Sequence, residues 1–456
     1  MKTAEQIRKL YDEEKCLRDW SDFLRFQSIS TDPEYAGECV RCAEWLREHL
    51  SSIGLEASLL ETQAKPVVYA SYRSPQQDAP RILFYGHYDV QPADPLEEWT
   101  TPPFEPTLRD GRLYARGAED NKGQVMYFVK AVEALLQEGQ GELPVSVAFL
   151  IEGEEECGSG GIAAALESWQ ERLQADILMV CDTGSRAADV SAITMGLRGI
   201  AGLTVRLSGL RTDLHSGVHG GVCPNPATEL ARLLATLHDA DGKIAVDGFY
   251  DDVPEPDVED LALANQVELP LEAYQAMSGV QPVGGEKGRS FAERRGFRPT
   301  VEINGIHSGY GGAGMKTIIP RDAVAKITTR TVAAQDTEGA LRKLEDHLLR
   351  RAPEGLVITI SESESGGSGL AVSASSPVIE RARTVLEHLQ MGSVELMWEG
   401  ASIPIVASLA EVANAEPLLV GFGLEEDNIH APNESFSLDQ FFKGFSYVVG
   451  FLSSYK

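Results

Sequence analysis

RILFYGHYDV, residues 81–90, is an apolar run that ends in a histidine and an aspartate two positions apart. Side chains alternate between the two faces of a strand, so His87 and Asp89 share one face and Tyr88 takes the other. A carboxylate there can bind one ring nitrogen of the imidazole, which leaves the second nitrogen as a metal ligand. From this motif alone a structural strand cap is the favoured interpretation, so a metal site requires further ligands after other strands.

The composition is that of a two-domain globular protein. The chain has 456 residues, 43% of them hydrophobic and 24% charged, and it is longer than one typical domain. Its formal charge of −29 argues against nucleic acid and against an anionic membrane surface as partners. The N-terminal segment lacks the apolar core of a signal peptide, and no apolar run reaches the roughly 18 residues that span a membrane. We therefore expect a cytoplasmic protein.

Six cysteines in a chain of this length do not indicate a disulfide framework. Cys39 and Cys42 form a CxxC pair, but the apolar spacing around them predicts a helix that packs both side chains inward. No second pair accompanies them, so a zinc or redox role for this pair is disfavoured.

Helix-like and strand-like segments alternate over residues 1–190, which predicts an α/β domain with a largely parallel sheet. Between residues 191 and 375 the pattern changes to strands, amphipathic helices and a long acidic stretch, and we predict a smaller α+β domain inserted here. The first pattern resumes over 376–456 and completes the first domain. Ligands of such a sheet lie beyond the carboxyl ends of its strands.

Further polar side chains follow apolar runs as His87 does, or lie in the loops after them. They are Asp120, Glu155, Glu156, Asp182 and His430. A parallel sheet brings the ends of its strands to one edge, so we expect these side chains to converge there. Turn or surface roles could explain each residue singly, but they do not explain the whole set.

Two histidines and three carboxylates suit a pair of divalent ions, and we expect zinc, with manganese or cobalt as alternatives. If His87 and His430 are neutral and Asp120, Asp182 and Glu156 are ionised, the ligands carry −3 against +4 from two ions, and one hydroxide balances the rest. Glu155 is not needed as a ligand. It is then available as a general base that takes a proton from water and passes it to a leaving nitrogen.

A series of motifs resembles, in order, the aminoacylase/carnosinase-like co-catalytic metallopeptidases, which include dipeptidases, carboxypeptidases and N-acyl amino acid deacylases. From about residue 85 to the C-terminus they read HYD, GAEDNKG, GEEECGS, CD, DLHSGVHGG with PNPATEL, GMKTIIP, GASIP and HAPNE. Within that family, these motifs most resemble those of the cytosolic nonspecific dipeptidases and carnosinases.

The resemblance implies a role for each matching residue at the metal centre. One ion is bound by His87 and Asp182, the other by Glu156 and His430, and Asp120 bridges the two. The same match makes Asp89 the residue that orients His87, and Glu155 the general base.

The resemblance also implies residues that bind the substrate. Arg330 matches an arginine that binds the substrate's C-terminal carboxylate, and Thr317 and Ser402 match positions that hydrogen-bond the substrate. His215 matches a histidine that reaches the active site of a partner subunit and stabilises the tetrahedral oxyanion. A homodimer formed through the inserted lid domain is therefore implied.

Three positions depart from the pattern of many relatives. Asn121 follows the bridging residue where an aspartate is common, Trp398 stands in place of the arginine of a REGGSIP motif, and Ser365 replaces a histidine of carnosinase-like members. These changes leave the expected ligands and base intact and bear on substrate preference.

We therefore expect hydrolysis of the amide bond of a dipeptide with a free C-terminal carboxylate, by metal-bound hydroxide with Glu155 as the base. N-acyl and N-carbamoyl amino acids also present a carboxylate beside an amide, so an amidohydrolase of those substrates is the alternative. A binding protein that keeps the fold without activity would have lost a ligand or the base, and here all of them are present.

Overall fold

The computed structural model describes residues 1–267 and 271–455, which divide into two compact units. Unit 1 comprises Met1–Met195, Val372–Met397 and the segment from Ser408 onward. Unit 2 comprises Gly196–Ala371 and Trp398–Ala407. The junctions thus lie after residues 195 and 371, where the sequence predicts them after 190 and 375.

Helices and strands alternate in the N-terminal part of unit 1. The helices are α1 (Ala4–Arg8), α2 (Glu13–Leu24), α3 (Ala36–Ser52), α4 (Lys122–Glu138), α5 (Gly160–Ala165) and α6 (Gln170–Leu173). The strands are β1 (Glu56–Leu60), β2 (Val67–Tyr72), β3 (Arg81–His87), β4 (Thr107–Arg109), β5 (Arg112–Tyr114), β6 (Ser146–Glu152), β7 (Ile177–Val180) and β8 (Val190–Leu197).

The segment that follows builds unit 2. Its strands are β9 (Gly199–Ser208), β10 (Leu214–His215), β11 (Thr300–Ser308), β12 (Ile318–Ile319), β13 (Asp322–Thr331), β14 (Val357–Gly367) and β15 (Leu370–Ala371). Its helices are α7 (Ser216–His219), α8 (Pro226–Leu234), α9 (Val258–Gln266), α10 (Leu271–Ser278) and α11 (Thr337–Arg350).

The C-terminal part returns to unit 1, apart from the short segment that joins unit 2. Its elements are α12 (Pro377–His388), β16 (Ser393–Trp398), α13 (Pro404–Ala413), β17 (Glu416–Leu419), β18 (Ser435–Ser437) and α14 (Leu438–Leu452). Among the helices of the described residues, none is long and apolar enough to cross a membrane.

The large sheet of unit 1 has a parallel centre and antiparallel margins. Strands β6, β3, β7 and β17 are parallel neighbours in that order. Strands β2 and β1 extend the sheet antiparallel on one side, and β8 pairs antiparallel with β17 on the other. The predicted α/β class with an inserted α+β domain is confirmed, and the parallel block is the part that carries the strand-end residues.

Close packing of α4 against β3 positions the end of that strand. Phe84 of β3 stacks on Phe128 of α4 with ring centroids 4.1 Å apart. At Gly86, a Cβ atom would lie 2.8 Å from Asn121 Oδ1 and from Val125 Cγ2, so only glycine permits this approach. The approach lets the His87 backbone N–H donate to Asn121 Oδ1 at 3.2 Å.

The predicted helix around the CxxC pair is present as α3. Cys39 and Cys42 are both buried within it, and all six cysteines of the chain are free thiols. Burial raises the pKa of both thiols, which disfavours the thiolate needed for metal binding or redox chemistry.

Unit 2 is built on a four-stranded antiparallel sheet in the order β11, β13, β9, β14. Helices α8 and α11 cover one face, where Leu230, Leu344 and Leu348 pack on Val205 and Ile327. Strands β10 and β12 form a separate antiparallel pair.

Residues 398–407, which the sequence assigns to the first domain, belong to unit 2. The sequence-based assignment differs from this because hydrogen bonds join the segment to Gly196 of β8 and to Arg198, which lies between β8 and β9 at the start of unit 2. The Arg198 backbone N–H donates to Ala401 O at 3.0 Å, and the Ser402 hydroxyl donates to Arg198 O.

Candidate metal centre and substrate residues

His87 ends β3 as a fully buried imidazole held from one side by Asp89. Its Nδ1 lies 3.1 Å from the backbone oxygen of Asp89 and 3.4 Å from the Asp89 carboxylate. Nδ1 therefore carries the proton in the neutral ring, which leaves Nε2 as a lone-pair donor. The sequence pointed to the carboxylate as the orienting group, whereas the structure places the backbone oxygen of the same residue closer.

The Asp89 carboxylate also fixes the turn after β6. It accepts the backbone N–H of Glu155 at 3.3 Å and that of Glu156 at 3.1 Å. One buried carboxylate thus contacts both the strand that ends in His87 and the turn that carries the two glutamates.

Asp120 lies between the two histidines. Its Oδ1 is 3.1 Å from His87 Nε2, and its Oδ2 is 2.9 Å from His430 Nε2. Asp182 Oδ2 lies 3.8 Å from His87 Nε2, and Glu156 Oε2 lies 3.3 Å from His430 Nε2. The five residues therefore form two groups that could each hold a metal ion, and Asp120 is common to both.

The electrostatics of these groups fit cations. Burial opposes a charge on His87, but hydrogen bonds to Asp120 and Asp89 outweigh it and raise the pKa of His87 well above its ordinary value. Hydrogen bonds to Asp120 and Glu156 raise the pKa of His430 to about 10. Burial and then the negative charge of Asp120 raise the pKa of Asp182 to about 7. The carboxylate oxygens and the two imidazole Nε2 atoms are donors of the kind that divalent transition ions bind. The excess of negative charge around them favours a bound cation.

Glu155 lies beside the ligand groups without belonging to either of them. Its carboxylate is half-buried and has no hydrogen bond to any residue that the structure describes. Burial raises the pKa of Glu155 to about 9, with His87 opposing the increase and the neighbouring acidic groups adding to it. Bound cations act in the opposite direction and favour the ionised form.

Glu434 is a site residue that the sequence alone does not reveal. Its side chain is 1% exposed, and its Oε2 accepts hydrogen bonds from Arg116 Nη1 at 2.7 Å and from the Gly117 N–H at 2.9 Å. Its Oε1 accepts the N–H groups of Glu119 at 3.1 Å and Asp120 at 3.2 Å. The HAPNE motif contains both His430 and Glu434, so it is the feature of the sequence that could have indicated a role for this glutamate.

Two amides also contact the candidate ligands. Gln91 Nε2 donates to Glu156 Oε2 at 2.7 Å, and Asn121 Nδ2 donates to Asp182 Oδ1 at 3.1 Å. Asn121 is one of the departures noted in the sequence. An ionised aspartate could not donate this hydrogen bond and would place a second negative charge against Asp182.

The four remaining predicted residues lie in unit 2 as two pairs. Arg330 Nη1 donates to Ser402 Oγ at 2.6 Å. His215 and Thr317 are brought together by the pairing of β10 with β12, where the Ser216 N–H donates to Thr317 O at 3.0 Å. His215 is exposed, and its Nδ1 accepts the Gly217 N–H at 3.0 Å. In the neutral ring the proton of His215 is therefore on Nε2, which is free to donate.

Comparison with known proteins gives the family of the chain. Residues 83–454 match the profile of peptidase family M20/M25/M40. The chain is 30% identical to the Cys-Gly metallodipeptidase DUG1 of Candida albicans over 95% of this chain and 93% of that protein. It is 29% identical to the human Beta-Ala-His dipeptidase over 94% of this chain and 87% of that protein.

One solved structure is similar to this chain over almost its full length. It is an M20 family metallo-carboxypeptidase, Sso-CP2 of Sulfolobus solfataricus, with a TM-score of 0.85 and 30% identity. The alignment covers 98% of this chain and 99% of that one. The resemblance seen in the motifs and the prediction of a metallopeptidase are thereby confirmed. The chain belongs to peptidase family M20/M25/M40.

Proposed function

We propose that this enzyme is a dipeptidase that hydrolyses the amide bond of dipeptides with a free C-terminal carboxylate. The observation that carries the proposal is Asp120, whose two oxygens face the Nε2 atoms of two different histidines. The relatives named as Cys-Gly and Beta-Ala-His dipeptidases support the substrate class, since each aligns over most of its length.

The centre would hold two divalent ions, with zinc as the first choice and manganese or cobalt as alternatives. His87 and Asp182 would bind one ion, Glu156 and His430 the other, and Asp120 both. Ions bound there supply Lewis acidity, which acidifies a water molecule and polarises the scissile carbonyl.

The chain's own groups move the proton and hold the reacting atoms. The Glu155 carboxylate accepts a proton from the attacking water and delivers it to the leaving nitrogen. Its position is supported by the Asp89 carboxylate, which holds the backbone N–H of Glu155. The Nε2–H of His215 donates a hydrogen bond to the oxyanion that develops on the former carbonyl oxygen.

Substrate binding falls to three residues of unit 2, Arg330, Ser402 and Thr317. Arg330 binds the C-terminal carboxylate of the dipeptide, for which a planar guanidinium is suited. Among the described residues, no carboxylate lies within ion-pair distance of Arg330, and burial alone lowers its pKa. Ser402 accepts the hydrogen bond from Arg330, and Thr317 offers a hydroxyl to the substrate.

We further propose a homodimer in which His215 serves the partner subunit's site, and a location in the cytoplasm. β11 is an edge strand of the unit 2 sheet and leaves Ile306 60% exposed, as expected of a strand that pairs with another chain. Six free cysteines fit a reducing compartment.

The test is hydrolysis of a matched panel by protein stripped of metal and resupplied with zinc or manganese. The panel contains free dipeptides, the same dipeptides with an N-acetyl group, and N-carbamoyl amino acids. Metal-dependent turnover of the free dipeptides is the expected result. Preference for the blocked substrates would replace the dipeptidase with an acyl or carbamoyl amino acid hydrolase, and no turnover of any of them would contradict the proposal.

A further inference from the structure

Two arginines of unit 2 contact the same short segment, Gly400–Ser402. Arg198 Nε donates to Gly400 O at 2.9 Å, and Arg330 Nη1 donates to Ser402 Oγ at 2.6 Å. The Ser402 hydroxyl in turn donates to the backbone oxygen of Arg198. One segment therefore holds both guanidinium groups.

Neither guanidinium has an acidic partner in the described part of the chain. A third arginine, Arg295, is paired with Glu399 at 2.6 Å, but no carboxylate lies within 4.0 Å of Arg198 or Arg330. Glu302 offsets part of the charge on Arg198 from farther away without forming an ion pair. Burial lowers the pKa of Arg198 to about 10, and the charge of Arg330 adds to that effect, as expected of neighbouring cations.

Two half-buried cations without counterions are unusual in a chain whose net charge is −29. Acidic side chains are abundant, yet none compensates this pair, so an anionic ligand is the expected partner. The free donors agree with this. Arg198 uses Nε and Nη1 on backbone oxygens and Arg330 uses only Nη1, which leaves Nη2 of both residues without a hydrogen bond to the described residues.

One carboxylate would neutralise only one of the two charges. In the proposed function, the C-terminal carboxylate of the dipeptide occupies Arg330. A second carboxylate on the same residue would neutralise Arg198, and the side chains of aspartate and glutamate supply it.

We propose, on the basis of the dipeptidase function above, that Arg198 and Arg330 form a single subsite for two carboxylates. The preferred substrates are then dipeptides whose C-terminal residue is aspartate or glutamate. Arg198 selects the acidic side chain, while Arg330 binds the carboxylate that every dipeptide has.

The experiment compares acid and amide substrates of equal shape, Ala-Glu with Ala-Gln and Ala-Asp with Ala-Asn. We expect kcat/KM of the wild-type enzyme to favour the acid by about tenfold or more, the worth of a hydrogen bond to a charged group. In Arg198→Gln the ratio should fall to near one. Arg206→Gln is the matched control, because Arg206 is an exposed unit 2 arginine already paired with Asp322, and its ratio should equal that of wild type.

The ratio separates recognition from a structural role. If Arg198 only holds the Gly400–Ser402 segment, its loss lowers turnover of acid and amide alike, the ratio stays at the wild-type value, and the proposal is overturned. A wild-type ratio near one overturns it without any variant, so a substitution that prevents folding does not leave it undecided. Failure to hydrolyse any dipeptide contradicts the dipeptidase function itself, which is a different result from equal hydrolysis of acid and amide.

Discussion

At the scale of single residues, the carboxylates of this centre have two kinds of partner, imidazole rings and backbone N–H groups. Asp120 directs its oxygens at two imidazoles, whereas Asp89 and Glu434 direct theirs at backbone N–H groups. A carboxylate that accepts several N–H bonds fixes a turn of the backbone, and the ligand on that turn keeps its position. The proposed ligands therefore depend on residues that lie outside the two candidate ligand groups.

Glu155→Gln should separate metal binding from catalysis. The amide keeps the size of the side chain but cannot accept a proton from water, so we expect turnover to fall about 100-fold or more. Metal content, measured after dialysis, should match that of wild type because Glu155 belongs to neither ligand group. Full activity in this variant would show that Glu155 is not the base.

Glu434→Gln should weaken metal binding without removing a ligand. Both oxygens of Glu434 accept hydrogen bonds from N–H groups. In either orientation, the amide NH₂ of glutamine would place a donor against one of these N–H donors, and the resulting repulsion should loosen the turn that carries Asp120. We expect metal affinity, measured by competition with a chromophoric chelator, to fall about 10- to 100-fold.

A matched control for this variant is Glu426→Gln. Glu426 lies in the loop before His430, but its side chain is mostly exposed and its partner is Arg112. Its metal affinity should equal that of wild type. If Glu434→Gln also bound metal with wild-type affinity, Glu434 would not be a positioning residue.

At the scale of elements, the site depends on how closely α4 approaches the end of β3. Asn121 precedes the first turn of α4, and its side chain contacts both the His87 backbone and the Asp182 carboxylate. Glycine at position 86 leaves the space for this contact. The parallel block β6, β3, β7 could be anticipated from sequence because its strands are apolar runs, and each strand ends in or is followed by a candidate site residue.

Gly86→Ala should destabilise unit 1. The added methyl group would lie 2.8 Å from Asn121 Oδ1 and Val125 Cγ2, so strand and helix must separate. We expect a loss of about 1–3 kcal/mol in the free energy of unfolding, measured in urea on metal-free protein. Gly160→Ala in α5 is the control, since a Cβ atom there meets nothing within 4 Å and stability should not decrease. An unchanged free energy of unfolding in Gly86→Ala would contradict this account of the packing.

At the scale of the whole molecule, the proposed dimer can be tested by complementation. Chains carrying His215→Ala and Glu155→Gln are coexpressed with different affinity tags, and the mixed dimers are isolated. If His215 serves the partner subunit, one of the two sites is complete, so the mixed dimer should recover about half of the wild-type turnover.

Each homodimer of these two variants should be nearly inactive, which gives the baseline. Activity of the mixed dimer at that baseline would mean that His215 acts within its own subunit. Failure to isolate any mixed dimer would contradict the proposed oligomer.

The sequence alone determined which residues are candidates for metal binding and catalysis. It also determined the α/β fold class, whose parallel strands end at one edge of the sheet. Hydrophobic periodicity indicates the type of each element and which residues share a face. The strand ends at His87, the glutamate pair and Asp182 could therefore be predicted directly. The order of the motifs identified the family. The roles predicted for unit 2 residues such as Arg330 and His215 came from the family motifs alone. Without those motifs, the sequence around each of them would predict an ordinary surface residue.

Tertiary structure decided the contacts between residues distant in the chain. Glu434 binds the N–H of Asp120 across 314 positions, and residues 398–407 join unit 2 through Arg198. Asp120 acquires its second imidazole neighbour, His430, only when the C-terminal segment packs beside the strand ends. Local pattern cannot encode such pairings, because they depend on how distant segments pack and on which buried polar groups then find partners.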